Sequence, residues 1–131
     1  MTPRVTVLMS VFNGAAYLRE AVESVLGQSY TDFQFVIVDD GSTDDTVPWL
    51  RVYRDPRITV ITQDHQGMAA ALNRGLREAA GDFIARQDHD DVSLPGRLAA
   101  QVAYFDQHPE IGMIGTAAQV ISADGKPQGV N

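Results

Sequence analysis

Cysteine is absent from the 131 residues, so disulfides and thiolate-ligated metal centres are excluded, in keeping with a reducing cytoplasm. Also absent is any apolar run approaching the ~20 residues of a membrane span. The start, Met1-Thr2-Pro3-Arg4 followed by alternating residues, lacks the apolar core of a secretory signal. The expectation is a cytoplasmic protein, either free or peripheral at the inner face of the membrane. Basic charge is scarce: ten Lys and Arg residues are scattered among 17 Asp and Glu, for a net charge of -7. Affinity for a nucleic-acid polymer rests mainly on phosphate neutralisation by basic groups, so the lack of a basic stripe excludes that partner class. A small phosphate ligand remains compatible if a divalent cation supplies the positive charge. There is no internal repeat, low-complexity tract or interdomain linker.

What is present is ordinary globular composition, 44% hydrophobic and 21% charged. The length is that of one domain, able to bury roughly two-thirds of its unfolded surface. Arg4 to Ser10 is a short β-rich apolar run. Leu18, Ala21, Val22, Val25 and Leu26 then recur at helical spacing, with Asn13 as N-cap and Gly27 as stop. Phe33 to Val38 is nearly continuous in apolar residues, as expected of a strand buried on both faces, and Asp39-Asp40-Gly41 breaks it. Ser42 with Asp45 reads as a capping box opening a helix toward Trp49 and Leu50.

The alternation continues. Ile58 to Ile61 reads as a third strand, Met68 to Ala79 as a helix stopped by Gly81, and Phe83-Ile84-Ala85 as a fourth strand. Pro95 leads into a helix carrying Leu98, Val102 and Phe105, which Pro109 forbids from continuing. Ile111 to Gly115 reads as a fifth short strand, and Thr116 to Val130 as a strand and turn around Asp124-Gly125. Strict β-α alternation implies an α/β, Rossmann-like, mainly parallel sheet with helices on both faces. Ligands of such sheets bind at the carboxyl ends of the strands. Three polar segments lie there: Ser10 to Asn13, Asp39 to Ser42, and Gln87 to Asp91.

Asp88-His89-Asp90-Asp91 places three carboxylates within four residues. Like charges so close are costly unless solvent or a cation relieves them. Mg2+ or Mn2+ suits carboxylate oxygen and usually shares its sphere with substrate phosphate. The bland alternative is a solvated acidic loop ahead of the helix after Pro95; position after a buried strand, on the rim shared with Asp40, favours the cation. An EF-hand is excluded, since Ser93 stands where Gly is required and Ala99 where the bidentate Glu belongs. Zinc would rest on His89 alone among carboxylates, too few nitrogen ligands. Asp40 can accept an N–H from a base edge such as the imide of uracil, or else support the turn at Gly41, a role Asp39 can fill instead. Asp44 and Asp45 read as complements to a helix dipole. Phe12 reads equally as a stacking platform for a base or as core.

Taken together these segments resemble family 2 glycosyltransferases of the GT-A fold. The stretch Val5-Thr6-Val7-Leu8-Met9-Ser10-Val11-Phe12-Asn13 is similar to the family's first strand and loop. Leu26-Gly27-Gln28-Ser29-Tyr30-Thr31-Asp32-Phe33 and Val36-Ile37-Val38-Asp39-Asp40-Gly41-Ser42-Thr43-Asp44 match its most recognisable stretch. Ala71-Leu72-Asn73-Arg74-Gly75-Leu76, and Asp88 to Asp91 with Leu94-Pro95-Gly96-Arg97-Leu98, complete the series in order. The resemblance implies an inverting, metal-dependent transfer of a sugar from a nucleotide diphosphate-sugar, UDP-sugar favoured, to an acceptor hydroxyl on a saccharide, lipid-linked carrier or protein. The pathway it suggests is cell-surface polysaccharide biosynthesis.

The resemblance also assigns roles. Ser10, Val11, Phe12, Asn13, Asp40, Gly41, Ser42 and Gly67 are expected to line the nucleotide pocket, with Asp88 and His89 near ribose and sugar. Asp88-His89-Asp90 is the D-x-D element, in which Asp90, with Asp88, is expected to bind the Mg2+ or Mn2+ that bridges the diphosphate. The chain departs from the pattern at Ser10, where Pro is common, at His89, where a small residue is usual, and at Gln87, where an apolar residue is usual.

Residues 1–131 are then expected to form a single donor-binding domain, a fragment truncated before the acceptor-binding half. The general base, needed to deprotonate the acceptor, is expected outside it. The fragment is expected to bind the donor without turnover, behaving as a nucleotide- and metal-binding module, and to self-associate through uncovered apolar surface. Two other readings are weaker. A haloacid dehalogenase-type phosphatase uses Asp-x-Asp-x-Val, which Asp88 to Val92 fits, but after its first strand. A nucleotidyltransferase needs a glycine-rich phosphate loop, and Ser10-Val11-Phe12-Asn13-Gly14 has one glycine.

Overall fold

The computed structural model of the chain describes residues 2–130. They form two compact units, one running up to Ala100 and one from Gln101 onward. The first contains β1 (Val5–Val11), α1 (Ala15–Leu26), β2 (Phe33–Asp39), α2 (Thr46–Leu50), β3 (Ile58–Thr62), α3 (Met68–Glu78), β4 (Phe83–Arg86) and the start of α4 (Arg97–Gln107). Its four strands are all parallel, in the order β3-β2-β1-β4. The chain thus builds outward from β1 in one direction and then returns to its other side, which makes the β1–β4 junction the switch point of the sheet.

The apolar runs explain the burial. In β1 and β2, Leu8, Val36 and Val38 pack with Ala71 of α3 on one face. The alternate residues Val7, Met9, Phe35 and Ile37 point to the other face and are equally buried. A sheet covered on both sides needs such unbroken apolar strands. Leu18, Ala21, Val22 and Val25 form the buried stripe of α1. Gly75 lets α3 approach the sheet: a Cβ there would lie 2.3 Å from Leu8 Cδ1. Gly81, read as a helix stop, does a different job. Helix α3 ends at Glu78, and a Cβ on Gly81 would lie 2.5 Å from the Thr6 backbone nitrogen.

The second unit holds the remainder of α4 and an antiparallel hairpin, β5 (Gln119–Ile121) with β6 (Pro127–Val130), turning at Gly125 with φ 82°. The expected strand over Ile111 to Gly115 does not form. Met113 is 86% exposed, and without a neighbour to pair with, a short apolar run has little to hold it extended. Among the described residues no helix is long and apolar enough to cross a membrane.

Candidate functional site

Parallel pairing brings every βα loop of the first unit to one rim. Val11, Asp39 and Thr62 stand side by side in register, so β1, β2 and β3 end level. Strand β4 ends at Arg86, opposite Leu8, three residues short of the end of β1. That offset is about 10 Å along the strand direction. The turn Asp88 to Asp91 therefore lies beside the last residues of β1, and a Cβ on Gly14 would meet His89 Cδ2 at 2.5 Å. All the segments expected at the site, Ser10 to Asn13, Asp39 to Ser42 and Gln87 to Asp91, are thus on this rim, joined by the β3–α3 loop with Gly67.

The loops after β1 and β2 are laced together by side chains. Asn13 Oδ1 accepts the Thr43 N–H at 2.8 Å and the Asp44 N–H at 3.3 Å, while Ser42 Oγ accepts the Asn13 N–H at 2.9 Å. Thr46 Oγ1 accepts the Gly14 N–H at 3.0 Å, and Asp44 accepts from Ala15 at 3.1 Å and Thr46 at 2.9 Å. Two sequence expectations are corrected here. Gly14, not Asn13, is the N-cap of α1, because Asn13 takes the left-handed conformation (φ 51°) and turns its amide toward the neighbouring loop. Ser42 and Asp45 form no capping box; α2 begins at Thr46 and Ser42 is spent on Asn13. Asp44 does serve helix N-termini. Hydrogen bonds from Thr46, with a further one from Ala15, outweigh the cost of burial and hold its carboxyl below the usual range.

Asp39 and Asp40 divide their roles by direction. Asp39 supports the turn, its Oδ2 accepting the Ser42 N–H at 3.3 Å, and its Oδ1 is buried without a hydrogen-bond partner. Asp40 reaches across to the β3–α3 loop. Its Oδ1 accepts from Gln63 Nε2 at 2.7 Å and the Gln66 N–H at 2.9 Å; its Oδ2 accepts the Gly67 N–H at 2.8 Å and lies 2.9 Å from His65 Nδ1. Burial alone would raise the Asp40 carboxyl, but the Gln66, Gln63 and Gly67 hydrogen bonds and the His65 ring outweigh it, and its pKa is lowered. Phe12 is not core. It is 42% exposed and its ring is stacked on His65 at 4.0 Å.

Gly41 is the point at which these loops touch. It has φ +84°, and a Cβ there would sit 2.8 Å from the His65 backbone nitrogen. Gly41→Ala is therefore expected to destabilise the chain by about 1–3 kcal/mol. Urea unfolding would measure it; an unchanged midpoint would show that the β3–α3 loop yields without cost.

Beside Asp88 to Asp91, Gln87 stands out in the sequence only as a polar departure from the family pattern, and its role as a hydrogen-bond hub was not legible there. Gln87 is buried, and its backbone N–H continues the ladder to Leu8 O at 3.0 Å. Its amide donates to Asp91 O at 2.8 Å and accepts from Ser93 Oγ at 2.5 Å and Arg97 Nη1 at 2.9 Å. Arg97 also donates to Arg86 O at 2.7 Å. The legible trace of this hub was a polar residue at the end of an apolar strand. The carboxylates differ among themselves. Asp88 pairs with Arg86 at 2.8 Å, both half-exposed, which is worth little. Burial, then the charges of Asp88 and Asp90, raise the Asp91 carboxyl above its usual range, with Arg97 and His89 opposing. Among the described residues no three acidic or histidine side chains converge into a ready metal cage.

A phosphatase of the Asp-x-Asp-x-Val type would carry its first Asp after β1, whereas Asp88 follows β4. The chain is 39% identical over 127 residues to the putative glycosyltransferase EpsE of Bacillus subtilis, covering 94% of this chain and 46% of that protein. It is 38% identical over 114 residues to an uncharacterized glycosyltransferase, alr2836, of Nostoc, covering 85% of this chain and 35% of that one. The chain thus spans less than half the length of these relatives. Among solved structures, S. aureus TarS 1-349 matches with a TM-score of 0.76 at 28% identity, covering 81% of this chain and 33% of that one. The mannosyltransferase PcManGT of Pyrobaculum calidifontis, in complex with GDP-Man and Mn2+, matches at 0.74 and 30%, covering 93% and 36%. The fold is therefore GT-A. Residues 6–128 match the family model described as glycosyl transferase family 2, and the chain belongs to that family.

Proposed function

We propose that this chain is the donor-binding portion of an inverting glycosyltransferase that takes a nucleotide diphosphate-sugar and passes the sugar to an acceptor hydroxyl. The observation that carries the reading is the convergence on one rim of Phe12 and Asp40 with the Asp88 to Asp91 turn, on either side of the β1–β4 switch point. Ser10, Val11, Phe12, Asn13, Asp40, Gly41, Ser42 and Gly67 are assigned to the nucleotide, and Asp88 and His89 to ribose and sugar. Asp90, with Asp88, is assigned to a divalent cation.

The donor set fits Mg2+ or Mn2+. The carboxylates offer only hard oxygens, and three of them within four residues concentrate negative charge that a cation would relieve. Two protein carboxylates are enough for an ion that takes its remaining ligands from diphosphate and water. Such a cation, when bound, stabilises the charge that develops as the nucleoside diphosphate departs. The chain's own contribution is to orient the donor: Gln87, Ser93 and Arg97 fix the turn, while Asp40 fixes the loop beside the base. The general base is assigned to the part of the relatives' length that this chain does not span, so the chain alone is expected to bind donor without turnover.

PcManGT is solved with a guanosine donor and Mn2+, and TarS structures exist with UDP and with UDP-GlcNAc. Uridine is favoured here because a carboxylate at position 40 suits an imide N–H. Calorimetric titration with UDP, GDP and dTDP, with and without Mn2+, tests the reading. UDP should bind most tightly, and only with Mn2+ present. Equal binding in metal-free buffer would remove the role given to Asp90.

A further inference from the structure

The Asp40 carboxylate accepts three hydrogen bonds, from Gln63 and Gln66 on Oδ1 and from Gly67 on Oδ2, and the His65 Nδ1 lies 2.9 Å from Oδ2. A carboxylate has about four acceptor positions, so one is left for an incoming base, and the His65 ring stands against it. Two of the three donors are backbone N–H groups fixed by the loop. His65 differs from the rest because its side chain is 56% exposed and its ring lies on Phe12, with centroids 4.0 Å apart and planes 25° from parallel. Its Nδ1 is also 3.1 Å from Asp40 O. Both neighbours of Nδ1 are acceptors, which places the hydrogen on that nitrogen.

A flat ring with one face on Phe12 and its Nδ1–H against Asp40 has the two recognition features of a uracil imide. We infer that the His65 imidazole is an internal stand-in for the nucleobase, occupying the Phe12 face and the Asp40 acceptor until a base displaces it. This rests on the assignment of Phe12 and Asp40 to the base made above. His65 then sets how tightly the nucleotide is held without contacting it, since affinity is reduced by the fraction of molecules whose pocket is open. It also favours bases that can replace both contacts at once, a ring face and an N–H donor.

Titration of the chain and of His65→Ala with UDP and Mn2+ tests this, with inorganic pyrophosphate and Mn2+ as the ligand that lacks a base. Removing the stacked ring should tighten UDP by roughly twofold to tenfold and leave pyrophosphate unchanged. In the parent, the His65 ring resonances should move on saturation with UDP and diamagnetic Mg2+ toward those of a solvated imidazole. Weaker UDP binding by His65→Ala would mean that His65 clamps the bound base, and unchanged binding would mean that it does not compete; either overturns the inference. An equal gain for pyrophosphate would overturn it as well. The underlying assignment is read separately, from Phe12→Ala added to His65→Ala. Loss of roughly fivefold or more in UDP affinity supports the base on Phe12, and no loss rejects it. Failure of both parent and variant to bind UDP rejects the assignment and the inference together.

Discussion

Replacing Asp40 with alanine is expected to cost about 3 kcal/mol of stability and to weaken the discrimination between UDP and GDP. The side chain is 3% exposed and ties β2 to the β3–α3 loop through residues 23 to 27 positions away. Truncation removes the acceptor of the part-buried Gln66 and Gly67 N–H groups, and leaving donors unsatisfied is what makes such losses large. Asp40→Asn is the sharper variant. It keeps the volume but turns an amide NH2 against donors, so it should also be destabilising. The effect has a pH signature. The folded carboxyl titrates below its usual value of ~3.9, so its contribution is fully present above about pH 4 and is lost as pH falls through the lowered folded value. The stability gap between parent and Asp40→Ala should therefore close in acid. Thermal unfolding followed at several pH values measures it, and a gap independent of pH would show that packing rather than the ionised carboxylate holds the loop.

Asp90→Ala is expected to have the largest effect on binding and almost none on the fold. With saturating Mn2+, UDP affinity should fall by roughly tenfold to hundredfold, to the level of the metal-free parent. Asp90 is exposed on the turn after Gln87, and after burial and the charge of Asp88 its own charge helps raise the Asp91 carboxyl. Removing it should leave stability within about 0.5 kcal/mol of the parent or raise it slightly. That pairing of outcomes is diagnostic, because a structural residue would lose both. Isothermal titration with and without Mn2+ gives the first quantity and urea unfolding the second. Retention of Mn2+-dependent UDP binding by Asp90→Ala would move the cation elsewhere on the rim.

The two substitutions also divide what could be read in the sequence from what could not. Phe33 to Val38 announced a strand buried on both faces, and Asp39-Asp40-Gly41 announced its end, because burial pattern and turn chemistry are local. Alternation of such segments then required a parallel sheet, which in turn put Asp40 and Asp88 to Asp91 on one rim. The family motifs ran along the same segments in the same order, and residues 6–128 do match that family.

What tertiary structure decided is where each polar side chain on the rim points. Asn13 leaves the cap of α1 to Gly14 because the loop after β2 offers it two N–H groups about 30 residues away in sequence. Ser42 abandons a capping box for the same neighbour. Asp40 turns to Gln63, Gln66 and Gly67 only because β2 and β3 end level, and Gln87 becomes a hub only because Arg97 and Ser93 fold back over it. Ile111 to Gly115 has the composition of a strand but pairs with no strand among the described residues, so it is not one there. Sequence spacing determines which residues share an element and at which end of it they stand. Hydrogen bonds between loops depend on the register of strands far apart in the chain, and that register exists only once the sheet has formed.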